Sequence, residues 1–268
     1  MRALLGTAAL ALALAACSTG PHAALETPAS DRAYDPKALP PGPLGHSIRL
    51  GHDILVDTQA KMKGYVRADM SCAACHLDAG LKSKGGSLVG VYGRFPQWNT
   101  RSHRVIALQD RIAECFLYSM NGRPPGYASP EMIALVSYMA YVSRGLPIGE
   151  KQREGDRFIV PLPSAPPNPA RGATIYAQKC ATCHGADGAG VSGTFPPLWG
   201  KSSFNGGAGM AHLDRMTGFV YFNMPQDAPR SLSIEEAYDV GAFVLGHSRP
   251  QFDAKAIVAE PPAPARYY

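Results

Sequence analysis

Apolar residues recur three and four positions apart in several stretches of the chain, while strand-like alternation of useful length occurs nowhere, so the pattern predicts helices. Ile48, Leu55, Thr58 and Met62 share one helical face, and Ala173, Tyr176, Ala177 and Cys180 share another. Leu108 and Ile112 mark a third helix, drawn from Val105 to Ser119. A fourth opens with Ser129 as cap and Pro130 in its first position, then presents Met132, Leu135, Val136 and Met139. A fifth opens on a capping box, Ser233-x-x-Glu236, and carries Ile234, Ala237, Tyr238, Gly241 and Leu245 on one side. In the middle of the chain lies Pro161 to Pro169, five prolines in nine residues, which neither a helix nor a central strand tolerates. The expected fold is all-α, two small helical domains joined by a proline-rich linker.

The two halves repeat one plan. After its first helix each half carries a Cys-x-x-Cys-His string, Cys72-Ala-Ala-Cys75-His76 and, 108 residues later, Cys180-Ala-Thr-Cys183-His184. A glycine-rich loop follows, with Phe95-Pro96 in one half and Phe195-Pro196 in the other. Next come Asp110-Arg111-Ile112 and Asp214-Arg215-Met216, each with a methionine nine residues after the arginine, Met120 and Met224. Two thiols one short turn apart suit thioether bonds to heme vinyl groups, and the adjacent imidazole suits the proximal iron ligand. A redox dithiol or half a zinc site would satisfy the cysteine pair alone. The immediate histidine and the second copy favour two covalently bound hemes c, one on Cys72, Cys75 and His76, the other on Cys180, Cys183 and His184. The domains are drawn at 46–150 and 170–250, with a linker at 151–169 and a tail at 251–268.

Composition and charge refine this picture. With 28 Gly and 24 Pro the chain is loop-rich but still globular in its hydrophobic content of 46%. Met1-Arg2 and the apolar run to Ala16 have the form of an export signal at 1–16, and Leu14-Ala-Ala-Cys17 resembles a lipoprotein cleavage site. Cys17 is then a lipid anchor, 17–45 a flexible tether, and the periplasmic side of a bacterial membrane the location, with membrane contact through that lipid alone. Without 1–16 the balance is 25 basic against 21 acidic residues, with no Lys/Arg-dense run, so no nucleic-acid partner is expected. Small anions remain compatible with clustered positive charge.

The sixth iron ligands follow less directly. For the second heme Met224 is the candidate, 40 residues after His184, with Met210, Met216 and His212 as alternatives. For the first, duplication points to Met120, yet Cys115 is the one cysteine without an assigned role, 39 residues after His76. Spacing alone leaves Cys115 open between a ligand or nucleophile and an inert buried thiol.

Both halves resemble class I cytochrome c in their order of helix, Cys-x-x-Cys-His, proline loop, methionine and helix, and that resemblance implies that the Pro196 carbonyl holds His184. A more specific resemblance lies in Asp110-Arg-Ile-Ala-Glu-Cys115-Phe and Ser119-Met-Asn-Gly122, with Phe95 to Arg101 and Ser129-Pro-Glu-Met132 around them. These are similar to the diheme thiosulfate dehydrogenases, or tetrathionate synthases, from about His46 to Arg249. The resemblance implies Cys115 as distal ligand of the first heme and catalytic sulfur, Arg101 and Arg111 as substrate contacts, and Met120 away from iron; the repeat of Arg111 as Arg215, in a half without a proposed substrate, leaves a heme propionate as the alternative partner of both. It implies oxidation of two thiosulfate ions to tetrathionate, with electrons passing from heme one to heme two and on to a soluble cytochrome or similar acceptor. A non-catalytic electron carrier and an enzyme running mainly as a tetrathionate reductase are the alternatives. A less close relative is the sulfur-oxidising cytochrome subunit that uses a heme-ligating cysteine as sulfur carrier. Two positions depart from the family: Tyr118 stands where many members have Arg, and Asn223 where some have Lys, so no Lys/Met ligand exchange is expected at the second heme.

Overall fold

The computed structural model describes residues 34–149 and 157–252; the stretch 1–16, Cys17, most of the segment read as a tether, part of the linker and nearly all of the tail lie outside the described residues. The first half contains α1 (Pro43–Val56), α2 (Thr58–Lys61), α3 (Leu108–Tyr118) and α4 (Pro130–Val142). The second contains α5 (Pro169–Lys179), α6 (Ala181–His184), α7 (Leu213–Asn223) and α8 (Ile234–Leu245). In each half the first long helix crosses the last, α1 on α4 and α5 on α8, and α7 packs on α8.

Helix starts follow local chemistry. Ser129 Oγ accepts from Met132 N at 3.2 Å, Asn168 Oδ1 accepts from Ala170 and Arg171 at 3.1 Å each, and the Ser233–Glu236 box closes as expected. The crossings depend on glycine. A Cβ on Gly51 would lie 2.0 Å from Ala134 O, and one on Gly172 2.2 Å from Asp239 O, so only hydrogen fits between the helices. Asp239 is 1% exposed and bridges the second crossing: Oδ1 accepts from Asn168 N at 2.7 Å, and Oδ2 pairs with Arg171 Nε.

Several expectations need correction. The helical face running from Ile48 to Met62 is interrupted at Asp57, whose φ of −131° ends α1 and whose side chain caps α2. In α5 Ala177 is exposed, and Gly172, Ile175 and Tyr176 face inward; in α8 Val240 and Val244 are buried where Tyr238 and Leu245 were expected. Helix α3 starts at Leu108, because Asp110 Oδ2 takes Ala107 N at 2.8 Å and stops the helix there. Val105 instead lies on β2 (Arg104–Ile106), which pairs antiparallel with β1 (Gln97–Asn99). That two-stranded ribbon is the one sheet among the described residues of an otherwise helical fold.

We expect Gly51→Ala and Gly172→Ala each to lower stability by about 1–3 kcal/mol through overpacking. Helix propensity alone would raise it by up to about 1 kcal/mol. Denaturant unfolding of the heme-loaded protein decides by the sign of the change.

Candidate heme sites and the Cys115 centre

The first string is stitched to the end of α1. Thr58 is fully buried; its Oγ1 donates to Ile54 O at 2.7 Å and accepts from Cys72 N at 2.9 Å, while Thr58 N donates to Ser71 Oγ at 3.0 Å. Cys72–Ala74 then makes one tight turn and brings His76 round to the loop behind it. His76 Nδ1 lies 2.5 Å from Gly86 O, and His184 Nδ1 lies 3.0 Å from Pro196 O. A carbonyl only accepts, so Nδ1 carries the proton in both rings and Nε2 keeps its lone pair for a metal. The Pro196 contact is the one expected from the class I cytochrome c likeness. The first half solves the same problem with glycine: Gly86 has φ +69°, and a Cβ there would meet Cys75 O at 2.3 Å.

Cys115 lies on α3, one turn after Arg111, whose Nη1 donates to its sulfur at 3.2 Å. Arg111 also pairs with Glu114 at 3.6 Å. Burial pushes the Cys115 thiol up, but Arg111 and then His76 outweigh it, and the thiol sits below its ordinary value. Three other thiols go the opposite way, Cys72 pushed up by burial to about 11, Cys75 to about 12 and Cys180 to about 11. Cys115 lies near enough to Cys72 and Cys75 to add to the rise of both thiols, so the first string and the singleton cysteine share one place. Met120 is 2% exposed and belongs to the apolar cluster formed jointly with the second half, together with Ala68, Met70, Tyr118 and Phe204.

Arg101 takes a different position from Arg111. Its guanidinium lies 4.2 Å from the Tyr118 ring centroid, and Nη1 donates to Gly207 O of the second half at 2.7 Å. Lys84 turns to the second half, with Nζ 4.5 Å from the Phe222 centroid, and Arg104 pairs with Asp110 at 3.4 Å. In the second half Met224 leaves the end of α7 in an extended conformation and packs, partly buried, in the same cluster as Cys180. Met216 is core, Met210 packs on it, and His212 is an exposed cap residue.

Comparison with known proteins matches both halves. Residues 61–148 match the SoxA/TsdA cytochrome c domain, and residues 167–244 match cytochrome c oxidase, cbb3-type, subunit III. Thiosulfate dehydrogenase of Allochromatium vinosum is 39% identical, the alignment covering 87% of each chain. That of Thiomonas intermedia is 38% identical over 86% of this chain and 74% of its own. The chain belongs to the thiosulfate dehydrogenase family. A solved thiosulfate dehydrogenase (TsdBA) from Marichromatium purpuratum superposes with a TM-score of 0.77 at 35% identity; the match covers 86% of this chain, which spans about half of that longer one.

As a thiosulfate dehydrogenase family member the chain has two cytochrome c domains, and these imply heme c. The residues fit that group: both Cys-x-x-Cys strings carry free thiols on short turns, and both imidazoles present Nε2. Pro196 was expected to hold His184, but sequence reasoning missed Gly86 and Asn205. Gly86 stood visible in a Gly85-Gly86 pair, but its role needs the loop path. Asn205 is more hidden. It is 3% exposed, its Nδ2 donates to Leu117 O at 2.8 Å and its N to Tyr118 O at 3.2 Å, so the second half caps the C-terminal end of the Cys115 helix.

Gly86→Ala should cost more than about 2 kcal/mol, since it combines a left-handed backbone with a clash. We expect it to perturb the absorption of the first heme and leave that of the second intact, as heme staining and difference spectra would show.

Proposed function

We propose that this protein oxidises two thiosulfate ions to tetrathionate, using Cys115 as the sulfur nucleophile. The observation that carries the reading is the 3.2 Å contact from Arg111 to a cysteine whose thiol is drawn down beside His76. Thioether-bound at Cys72, Cys75, Cys180 and Cys183, two hemes c would supply two one-electron acceptors. His76 and Cys115 would hold the iron of the first heme and His184 and Met224 that of the second, where a methionine thioether would raise the potential and so suit the second heme as the exit toward a soluble cytochrome or similar acceptor.

The chain's own residues do the sulfur chemistry. The Cys115 thiolate and the sulfane sulfur of one thiosulfate form an S–S bond as two electrons are lost. A second thiosulfate attacks that sulfane sulfur; the new S–S bond makes tetrathionate, the bond to Cys115 breaks, and the thiolate returns. No proton is needed in either step. Two dianions must approach one another, and fixed cations offset their repulsion. Arg111, 44% exposed along its side chain, stands against the reacting sulfur. Arg101, exposed and held by its Gly207 and Tyr118 contacts, supplies a second positive charge for the incoming anion. Export and lipid anchoring at Cys17 belong to the same proposal; they rest on the leader-like stretch and on the motif Leu14 to Cys17. No helix among the described residues is long and apolar enough to cross a membrane.

Cys115→Ala should abolish thiosulfate-dependent heme reduction, a loss of roughly 1,000-fold or more, and change the first heme's ferric spectrum. If both stay as in the wild type, the chain is an electron carrier. Arg111→Ala should reduce kcat/KM about 100-fold, in line with the loss of one charge-stabilising donor.

A further inference from the structure

Asn223 is the last residue of α7 and is fully buried. Its Nδ2 donates twice, to Phe219 O at 3.1 Å within its own helix and to Lys84 O at 2.8 Å, 139 residues away in the first half. Both partners are carbonyls, so the amide orientation is settled by chemistry, and Oδ1 is left buried without a partner. A buried acceptor without a partner costs stability, so what this residue contributes lies in the two bonds that its Nδ2 donates. The second bond lands on a strained point: Lys84 has φ +60°, the left-handed region that a lysine seldom occupies. The same lysine's Nζ lies over Phe222, which Arg230 faces at 5.2 Å.

The loop at the other end of that bond is the one that carries Gly86, the acceptor for His76. It is tied back by Leu77 N to Gly85 O at 2.8 Å and Leu88 N to Gly80 O at 2.7 Å, so Lys84 and Gly86 sit in one hydrogen-bonded loop. A continuous path of short contacts therefore runs from His76 through Gly86 and Lys84 to Asn223, whose next residue is Met224. Resting on the ligand assignment above, we infer that Asn223 is a positioning residue that couples the two heme sites, registering Met224 against the loop that holds the proximal histidine of the other half. It stops α7 one residue before the methionine and fixes that stop to the first half, so displacement of Met224 is transmitted to the His76 acceptor, and the reverse.

The test uses heme-loaded full-length protein with two substitutions. Asn223→Asp keeps the shape and removes both donors. Asn223→Ser keeps a hydroxyl that reaches back to Phe219 O, as serine does to the residue four before it, but is too short for Lys84. The expected result is a weaker methionine–ferric charge-transfer band in Asn223→Asp and a fall in the second potential; a tenfold loss of the methionine's preference for ferrous iron corresponds to about 59 mV for one electron. In both variants the first heme's potential also shifts, although nothing in its half has changed. Unaltered potentials at both hemes overturn the inference. A shift at the second heme alone reduces Asn223 to a helix stop and overturns the coupling. Met224→Leu is the control for the assignment beneath it: a band that survives this change refutes Met224 as ligand and leaves the coupling without its basis.

Discussion

A c-type heme protein must deliver one imidazole nitrogen to iron in a fixed direction, and the only way to hold the ring is through its other nitrogen. Everything local to the two strings in this chain serves that constraint. A backbone carbonyl has to reach Nδ1 from behind, which requires a loop that leaves the histidine, turns and comes back. In the second half the loop returns through Pro196, whose fixed φ and missing N–H suit a carbonyl that must be presented without competition. In the first half it returns earlier, through Gly86, in a backbone conformation and at a closeness to Cys75 that only glycine accepts. One requirement has received two solutions.

That difference shows how the duplication diverged. Beyond the return in the first half, Gln97 to Ile106 form the small ribbon that carries Arg101, and the helix after the ribbon carries Arg111 and Cys115 one turn apart. The helix spacing makes the contact: residues four apart lie on one face, so an arginine placed at 111 has the sulfur at 115 within reach. The methionine that the repeat would offer as ligand, Met120, lies past the end of α3, where its thioether fills the seam between halves. The halves are consequently not independent beads. Asn205 caps α3, Arg101 reaches Gly207, Asp69 N donates to Ser202 O at 2.7 Å, and Asn223 reaches Lys84.

Much of this was legible before folding. The strings, the duplication, the proline break and the caps at Ser129 and Ser233 are all short-range patterns, and short-range patterns survive in sequence because i to i+4 geometry is local. Misreadings cluster where a neighbour intervened. Val105 was assigned to a helix because its hydrophobicity suits either state; pairing with Gln97–Asn99 and the Asp110 cap decided for a strand. Ala177 was placed on an inner face that Gly172 and Ile175 occupy, because the close crossing with α8 selects for the smallest residue and periodicity counts only apolar ones.

The sequence by itself determined that two heme-type strings sit in two helical halves, and that one cysteine, Cys115, falls outside the repeat. It could do so because those statements concern spacing along one chain. Only the tertiary structure decided that the Gly86 carbonyl holds His76, that Arg101 leans on the second half, and that Asn223 ties the end of the helix before Met224 to the loop of the other site. Such contacts join residues up to 139 positions apart through backbone carbonyls. Every residue type carries the same carbonyl, so nothing in the letters of the sequence marks where one will be used.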